Sequence, residues 1–88
     1  MESVKGKNIL VVGATGGIGS KTAKLLAGSG ANIFLASRNA EKLDLVAKEI
    51  GISAEKTFAV DISIPEQITA LKENYFSVFP NLDILVNA

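Results

Sequence analysis

Short apolar runs alternate with amphipathic segments along the whole chain, and this alternation constrains the fold more than any other feature. Four runs have the character of buried strands: NILVV at 8–12, NIFLAS at 32–37, KTFAV at 56–60 and LDILV at 82–86. Strands that alternate with helices pair in parallel through right-handed crossovers. The sequence therefore predicts an α/β fold with one doubly wound parallel sheet, in the order βαβαβαβ, with strand order 3-2-1-4.

The segments between the strands have the spacing of amphipathic helices. The first begins at Gly17 and ends at Gly28 and Gly30, the second ends at a left-handed Gly51, and the third ends before Pro80. A capping box at 63–66, with proline in the first turn, is predicted to start the third helix. The predicted buried stripes are Ile18, Thr22, Leu25, Leu26 and Ser29; then Leu43, Val46, Ala47 and Ile50; then Ile68, Leu71, Tyr75 and Phe79.

Composition narrows the chemistry that this chain can perform. The 88 residues carry nine basic and nine acidic side chains and contain no cysteine or histidine. Thiol, imidazole and zinc-cluster chemistry are therefore excluded. A formal charge of zero gives no field that attracts nucleic acid or an acidic membrane, so a small-molecule ligand is expected. No linker divides residues 1–88, which predicts a single unit, and the lack of cysteine and of an export signal favours the cytoplasm.

The segment GATGGIG at 13–19 lies directly between the first strand and the first helix. Glycines at such a position allow a tight turn, let the backbone approach a diphosphate, and let the helix pack closely on the strand. The N–H groups at the start of the helix then face the anion. The alternative is a plain β-to-α turn, which rarely needs four glycines in seven residues.

The glycine spacing distinguishes between phosphate-binding loops. A Walker A loop requires a glycine where Thr15 stands and another where Ser20 stands, so an NTPase is not expected. The common Gly-x-Gly-x-x-Gly fingerprint also fails, because Thr15 follows Gly13 at two residues. The spacing present is Gly13-x-x-x-Gly17-x-Gly19.

Three motifs at matching strand ends resemble the short-chain dehydrogenase/reductase family, and the likeness covers the whole chain. They are the glycine segment after the first strand, Asp61-Ile62 after the third, and Asn87-Ala88 at the end of the fourth. The resemblance implies a Rossmann-type fold and an oxidoreductase, with Val12 in place of the family's usual threonine. The glycines also fit Gly13-x-x-Gly16-x-x-Gly19, the spacing of the extended, epimerase-like branch, but DILVNA at 83–88 resembles the shorter reductase branch.

The end of the second strand bears on the choice between NAD and NADP. An acidic residue there would accept hydrogen bonds from the adenosine ribose and repel a 2′-phosphate, whereas a basic residue accommodates that phosphate. Ser37 and Arg38 occupy these positions, and no acidic residue appears until Glu41. NADP(H) is therefore expected in preference to NAD(H). The alternatives are an ordinary exposed charge at Arg38 and a helix cap at Ser37 or Asn39.

The resemblance also implies which residues contact the cofactor. Asp61 is expected at the adenine amino group, Ile62 on the adenine ring and Asn87 near the adenosine ribose. The full set of expected cofactor-binding residues is Gly13, Thr15, Gly16, Gly17, Ile18, Gly19, Ser37, Arg38, Asn39, Asp61, Ile62, Asn87 and Ala88.

The catalytic serine, the Tyr-x-x-x-Lys pair and the helix asparagine of the family all lie beyond the fourth strand. Tyr75 is followed four residues later by Phe79 and falls on a core-facing helix position, so it is not expected to be catalytic. The chain is expected to be the amino-terminal, cofactor-binding part of an NADP-dependent enzyme acting on a carbonyl or alcohol. The alternatives are a non-catalytic dinucleotide-binding module and the amino-terminal part of an epimerase or dehydratase.

The predicted fourth strand has no partner on its outer side. A long, apolar, unpaired edge is a template for association. The chain by itself is therefore expected to form homo-oligomers, to be poorly soluble, or to depend on a partner.

Overall fold

The four predicted strands form one parallel sheet. The computed structural model describes residues 2–88, with strands β1 (Asn8–Val12), β2 (Asn32–Ser37), β3 (Thr57–Ala59) and β4 (Ile84–Asn87). The strand order is β3-β2-β1-β4, and every pairing is parallel. The predicted architecture and order are confirmed. The order reverses between β1 and β4, which places the topological switch point above these two strands.

Three α-helices connect the strands. They are α1 (Gly17–Gly28), α2 (Ala40–Ile50) and α3 (Pro65–Val78), and short 3-10 helices cover Glu2–Val4 and Ala54–Lys56. Gly51 takes the predicted left-handed conformation after α2, with φ of 89°. Within residues 2–88, no helix has the length and apolar character needed to cross a bilayer.

Side chains of the sheet alternate between two helical layers. On one face, a core that includes Ile9, Val11, Ile33 and Leu35 packs against α1 and α2. On the other face, Leu10, Phe34 and Ala36 pack against α3. Because β1 and β2 are buried on both faces, their sequences are nearly continuous apolar runs rather than alternating ones.

Aromatic side chains hold α3 on the sheet. The ring centroid of Tyr75 lies 5.3 Å from that of Phe34 and 5.3 Å from that of Phe79, in tilted and edge-to-face geometries. Tyr75 is 1% exposed, and its hydroxyl donates a 2.8 Å hydrogen bond to the carbonyl oxygen of Asn81. The prediction that Tyr75 is a core residue is confirmed by this burial.

A polar clamp at the amino end of the sheet fixes β4 beside β1. The backbone N–H of Asn8 donates to the Asp83 carboxylate at 2.8 Å, and the N–H of Asp83 donates to the Asn8 carbonyl at 2.9 Å. The Asn8 side chain also bridges Asn81 and Asn32, with bonds of 2.9 and 3.0 Å. Asn8 is 8% exposed, so these bonds satisfy polar atoms that would otherwise be buried without partners.

The predicted buried stripe of α1 is wrong in part. Ile18 and Leu25 are 79% and 60% exposed, whereas Gly19, Ala23 and Leu26 are buried. The helix lies on the sheet through its smallest residues, because these permit close approach, and this orientation turns Ile18 and Leu25 outward. A search for large apolar side chains finds Leu26 but overlooks the glycine and alanine on the same face.

The predicted capping box of α3 is also wrong. Ile64 is the N-cap residue and makes no side-chain capping bond, while Ser63 lies outside the helix and donates to Asp61 instead. Pro65 does occupy the first turn, as expected.

The limits of two strands differ slightly from the prediction: Lys56 ends a 3-10 helix, and β4 begins at Ile84 rather than Leu82.

β4 is an apolar edge, but a short one. It spans four residues and pairs only with β1 among the described strands. Leu85 is 57% exposed, and it lines an apolar groove of about 320 Å³ with Phe76 and Leu82. The edge is therefore less extensive than the predicted long strand, although its apolar character is as expected.

We expect Tyr75→Phe to lower the free energy of unfolding by about 1 kcal/mol near neutral pH, because the Asn81 carbonyl loses its partner while the ring packing is kept. Burial, and secondly the charge of Asp83, raises the pKa of Tyr75 above its usual value. The folded state therefore retains the phenolic proton after the unfolded state has begun to lose it. This contribution is complete below the ordinary pKa and is lost as the pH rises through the raised one.

The difference in the free energy of unfolding between the wild type and Tyr75→Phe should consequently decrease above about pH 10. Urea denaturation of both proteins near neutral pH and at about pH 10.5 measures this difference. A gap that stays constant between the two pH values would contradict the assignment.

Candidate functional site

A groove of about 270 Å³ opens at the carboxyl ends of the four strands, at the switch point. Its walls come from the residues that end or follow each strand. Those lining it are Val12, Gly13, Thr15, Ser37, Arg38, Asn39, Lys42, Val60, Ile62, Asn87 and Ala88.

The turn after β1 depends on a glycine at position 13. Gly13 has φ of 80°, a conformation that residues with a side chain rarely adopt. A Cβ there would overlap the carbonyl oxygen of Ala88 and lie 3.2 Å from its carbonyl carbon. The N–H groups of Gly13 and Ala14 both donate to the carbonyl of Ala36, at 2.9 and 3.2 Å, which fixes the turn to β2.

Gly19 permits the close contact between α1 and this turn. It is buried, and a Cβ at this position would overlap the carbonyl oxygen of Gly13 and lie 2.9 Å from the carbonyl carbon. Both obstacles are backbone atoms, which cannot rotate away as a side chain can. Gly19 is thus required by the packing of the chain itself.

Gly16 and Gly17 have no such internal requirement. A Cβ on Gly17 would meet nothing within 4 Å, and one on Gly16 would make only an ordinary contact of 3.5 Å with the Gly13 carbonyl oxygen. Neither has a positive φ. These two glycines therefore leave open space beside the backbone, which is the property that lets a phosphate approach main-chain amides.

The start of α1 is the least compensated of the three helix starts. Its N-cap, Gly16, offers no side chain, and its first turn contains no acidic residue. The first helical bond runs from Ser20 N–H to the Gly16 carbonyl, so Gly17, Ile18 and Gly19 donate no backbone hydrogen bond within residues 2–88. Free N–H groups at the positive end of a helix dipole favour an anion.

Ser37 ends β2 inside the groove and is tied to the glycine turn. Its hydroxyl lies 2.6 Å from that of Thr15, and Ser37 is only 7% exposed. Its backbone carbonyl accepts from the N–H of Val60 at 2.8 Å. Ser37 therefore connects the end of β2 to the turn after β1 and to the residue after β3. The hydroxyl groups of Ser37 and Thr15 both lie at the groove.

Arg38 projects from the end of β2 next to Asp61. The guanidinium Nε lies 3.9 Å from a carboxylate oxygen of Asp61, and the Arg38 side chain is 79% exposed. At that distance and exposure the pair contributes little to stability. The guanidinium thus remains available to a ligand in the groove.

Asp61 is itself held by the loop that follows β3. Its carboxylate accepts from the hydroxyl of Ser63 at 2.6 Å and from the Ser63 N–H at 3.0 Å, while its own N–H donates to Gln67. These two bonds, the hydroxyl first, lower the pKa of the Asp61 carboxyl, and the charge of Arg38 lowers it further. Asp61 is therefore an anion at neutral pH.

Asn39 and Lys42 form the start of α2. The Asn39 side-chain oxygen accepts from the Lys42 N–H at 3.0 Å, which makes Asn39 the N-cap, an alternative that its position in the sequence already indicated. Lys42 lines the groove and was missed by the sequence analysis. The available signal was a basic residue four positions after Arg38, which a search for apolar helix stripes does not consider.

The groove brings together most of the expected site residues. Those that line it are Gly13, Thr15, Ser37, Arg38, Asn39, Ile62, Asn87 and Ala88. Gly16, Gly17, Ile18 and Gly19 are not part of its lining and form the start of α1 beside it, while Asp61 is linked to it through Arg38. Val12 and Val60 line it without having been predicted.

Comparison with known proteins identifies the family. The family model for short chain dehydrogenase matches residues 7–88. The chain therefore belongs to the short-chain dehydrogenase family, as its motifs predicted.

Three relatives show the extent of the likeness. Human retinol dehydrogenase 11 is 40% identical over 86 residues, which is 93% of this chain and 27% of that protein. The crystal structure of a short chain dehydrogenase from Mycobacterium smegmatis matches the whole chain with a TM-score of 0.89 and 26% identity, over 38% of its own length. L-sorbose reductase from Gluconobacter frateurii, solved with NADPH and L-sorbose, matches 97% of this chain with a TM-score of 0.81 and 32% identity, over 34% of its length.

The chain spans only about a third of the length of these relatives. The matched part corresponds to the described sheet and the groove at its carboxyl edge. The comparisons thus support the fold and membership of a family of oxidoreductases.

We expect Gly19→Ala to destabilise the fold by more than about 2 kcal/mol, because the new methyl group would overlap the Gly13 backbone. Gly17→Ala is the matched control: its methyl group meets open space, and alanine favours the helix by up to about 1 kcal/mol. Thermal and urea unfolding of both variants measures the difference. Equal stabilities of the two variants would show that the contact between Gly19 and the Gly13 backbone does not exclude a larger residue at position 19.

Proposed function

We propose that this chain is the NADP(H)-binding part of a short-chain oxidoreductase that transfers hydride between NADP(H) and a carbonyl or alcohol substrate. The observation that carries the proposal is the pairing of open amides at the start of α1 with a basic residue, and no acidic one, at the end of β2. The first feature suits a diphosphate and the second suits a 2′-phosphate.

The diphosphate would be bound by the main chain. Gly16 and Gly17 leave room for its oxygens, and the N–H groups of Gly17, Ile18 and Gly19 at the helix start donate no backbone hydrogen bond within residues 2–88. No side chain has to move, because these glycines have none. A preformed amide site of this kind loses little conformational entropy on binding.

The adenosine end would lie along the ends of β2, β3 and β4. Ser37 and Asn39 supply hydrogen-bonding groups, Arg38 supplies charge, and Ile62 supplies an apolar surface for the adenine ring. Asn87 would contact the adenosine ribose from β4, and Asp61 the adenine amino group. The Nδ2 group of Asn39 is left to donate, since its Oδ1 is used as the cap of α2.

The names of two solved relatives support the choice of cofactor. L-sorbose reductase was solved with NADPH, and a metagenomic short-chain oxidoreductase that is 31% identical to this chain was solved with NADP. Both match this chain across the glycine turn and the end of β2, since each alignment covers at least 94% of it.

The bound cofactor would supply the hydride donor or acceptor, and the chain would contribute binding and orientation. The amides of α1 hold the diphosphate, while the residues after β2 and β3 hold the adenosine. Fixing both fixes the position of the rest of the dinucleotide relative to the sheet. Because the chain spans only about a third of the length of its relatives, we propose that substrate chemistry uses residues outside this segment.

The alternative function is a non-catalytic module that binds a dinucleotide in the same groove. A serine and a Tyr-x-x-x-Lys motif after β4 in the parent protein would favour the enzyme over this module. The family match favours the reductase over an epimerase or dehydratase. The cytoplasmic location stays a prediction from composition.

We expect Arg38→Ala to weaken NADPH binding by about 1 to 3 kcal/mol while leaving NADH binding nearly unchanged, because only NADPH carries the 2′-phosphate. Gly17→Ala should weaken both cofactors alike, since its methyl group would occupy the space for the diphosphate without harming the fold. Calorimetric titration of each variant with NADPH and NADH tests both statements. Equal binding of the two cofactors by the unmodified protein would overturn the NADP assignment.

We also propose that the isolated chain self-associates through the apolar edge at β4. Leu85→Lys should shift it toward the monomer, because a lysine on an edge strand opposes pairing. Leu45→Lys is the matched control, since Leu45 is 66% exposed on α2, away from that edge. Sedimentation velocity measures the change. A wild-type protein that is a monodisperse monomer with a cooperative melt would contradict the proposal.

A further inference from the structure

The groove at the carboxyl edge of the sheet has a charge that the chain as a whole does not have. The chain is neutral, with nine residues of each sign. The only charged residues among those lining the groove in the described part of the chain are Arg38 and Lys42, and both are cations. Glu41, which lies between them in sequence, is exposed and does not line the groove.

Lys42 occupies a position that local electrostatics does not favour. It lies in the first turn of α2, near the positive end of the helix dipole, where an acidic residue would stabilise the helix. Lys48 in the last turn of α2 pairs with Asp44 at 3.1 Å, and Lys24 pairs with Glu49 at 3.6 Å. Lys42 has no carboxylate within 4.0 Å among residues 2–88, so it forms no salt bridge in this part of the chain.

The backbone of Lys42 is nevertheless well fixed. Its N–H is held by the Asn39 side chain at 3.0 Å, and the N–H of Leu43 bonds to the Asn39 carbonyl at 2.9 Å. Leu43 is buried in the core beneath α2. The lysine stem therefore starts from a rigid helical turn beside Ser37 and Arg38.

A phosphate monoester requires more positive charge than Arg38 can provide. Such a group carries between one and two negative charges at neutral pH. The Arg38 guanidinium bears one positive charge and lies 3.9 Å from the Asp61 carboxylate, which partly offsets it. A second cation in the same groove would complete the neutralisation.

We propose that Lys42 is a second cationic ligand of the 2′-phosphate and a specificity-determining residue for NADP(H) over NAD(H). This proposal rests on the proposed function and adds to it a residue one helical turn beyond Arg38. Lys42 binds the phosphate as a point charge at the start of α2, while Arg38 contacts it from the end of β2. The two residues thus approach the same group from different elements.

The experiment uses two small probes that differ in the 2′-phosphate, namely 2′,5′-ADP and 5′-AMP. Calorimetric titration compares the wild-type chain with Lys42→Gln, Lys42→Arg and the control Lys48→Gln, which removes the same charge from the same helix. Lys42→Gln should weaken 2′,5′-ADP binding by about 10-fold and change 5′-AMP binding by less than about 2-fold. Lys42→Arg should restore most of the loss, and Lys48→Gln should change neither probe by more than about 2-fold. A thermal melt of each variant verifies that it is folded.

Two results would overturn the assignment of Lys42 while leaving the proposed function intact. One is unchanged 2′,5′-ADP binding by Lys42→Gln when Arg38→Ala loses it. The other is an equal loss of 2′,5′-ADP and 5′-AMP in Lys42→Gln, which would place the effect away from the 2′-phosphate. If the wild-type chain binds neither probe and neither cofactor, the proposed function fails and this inference fails with it.

Discussion

The contact between Gly19 and the carbonyl of Gly13 is the constraint on which the rest of the site depends. It brings the first turn of α1 against the turn that follows β1, at a separation that a single methyl group would prevent. Because the obstacles are backbone atoms, the helix has no alternative way to accommodate a larger residue. The helix start, the end of β1 and the end of β4 are consequently held in one fixed arrangement, with Ala88 closing over Gly13 on the other side.

The two ends of the sheet use polar groups in different ways. At the amino end, Asn8, Asn81 and Asp83 satisfy one another, and the Tyr75 hydroxyl donates into the same region. At the carboxyl end, the amides of α1 and the side chains of Arg38 and Lys42 are left incompletely partnered within the described residues. Polar groups that are satisfied internally stabilise the fold, whereas groups left open at a fixed position can bind a ligand.

The positive charge around the groove comes from groups at the carboxyl ends of the strands that have few internal partners. Each helix start has a positive electrostatic potential, and α2 offsets its own with Asn39 and Glu41 while α1 has neither a capping side chain nor an acidic residue in its first turn. Arg38 and Lys42 then add positive charge at the end of β2, in a chain with no net charge. The positive charge is therefore local to the groove, and the overall composition of the chain does not reveal it.

The sequence by itself determined the sheet and its strand order, and it placed the candidate site at the strand ends where the groove lies. Apolar runs of strand length separated by helical periodicity leave few topologies, and the glycines between β1 and α1 mark the turn that is proposed to bind phosphate. Local patterning was less informative where neighbours compete for the same groups. Ser63 was expected to cap α3, but the helix begins one residue later with Ile64 as N-cap, and the hydroxyl and N–H of Ser63 both donate to Asp61.

Only the tertiary structure decided which face of α1 is buried and which charges reach the groove. Ile18 and Leu25 point outward because close packing through Gly19 and Ala23 sets the rotation of the helix, and hydrophobicity alone does not encode that distance. Lys42 enters the site because α2 starts beside the carboxyl end of β2, so residues one helical turn apart share one wall. Sequence spacing specifies local periodicity, whereas the distance of approach between elements depends on backbone contacts that form only when the chain is folded.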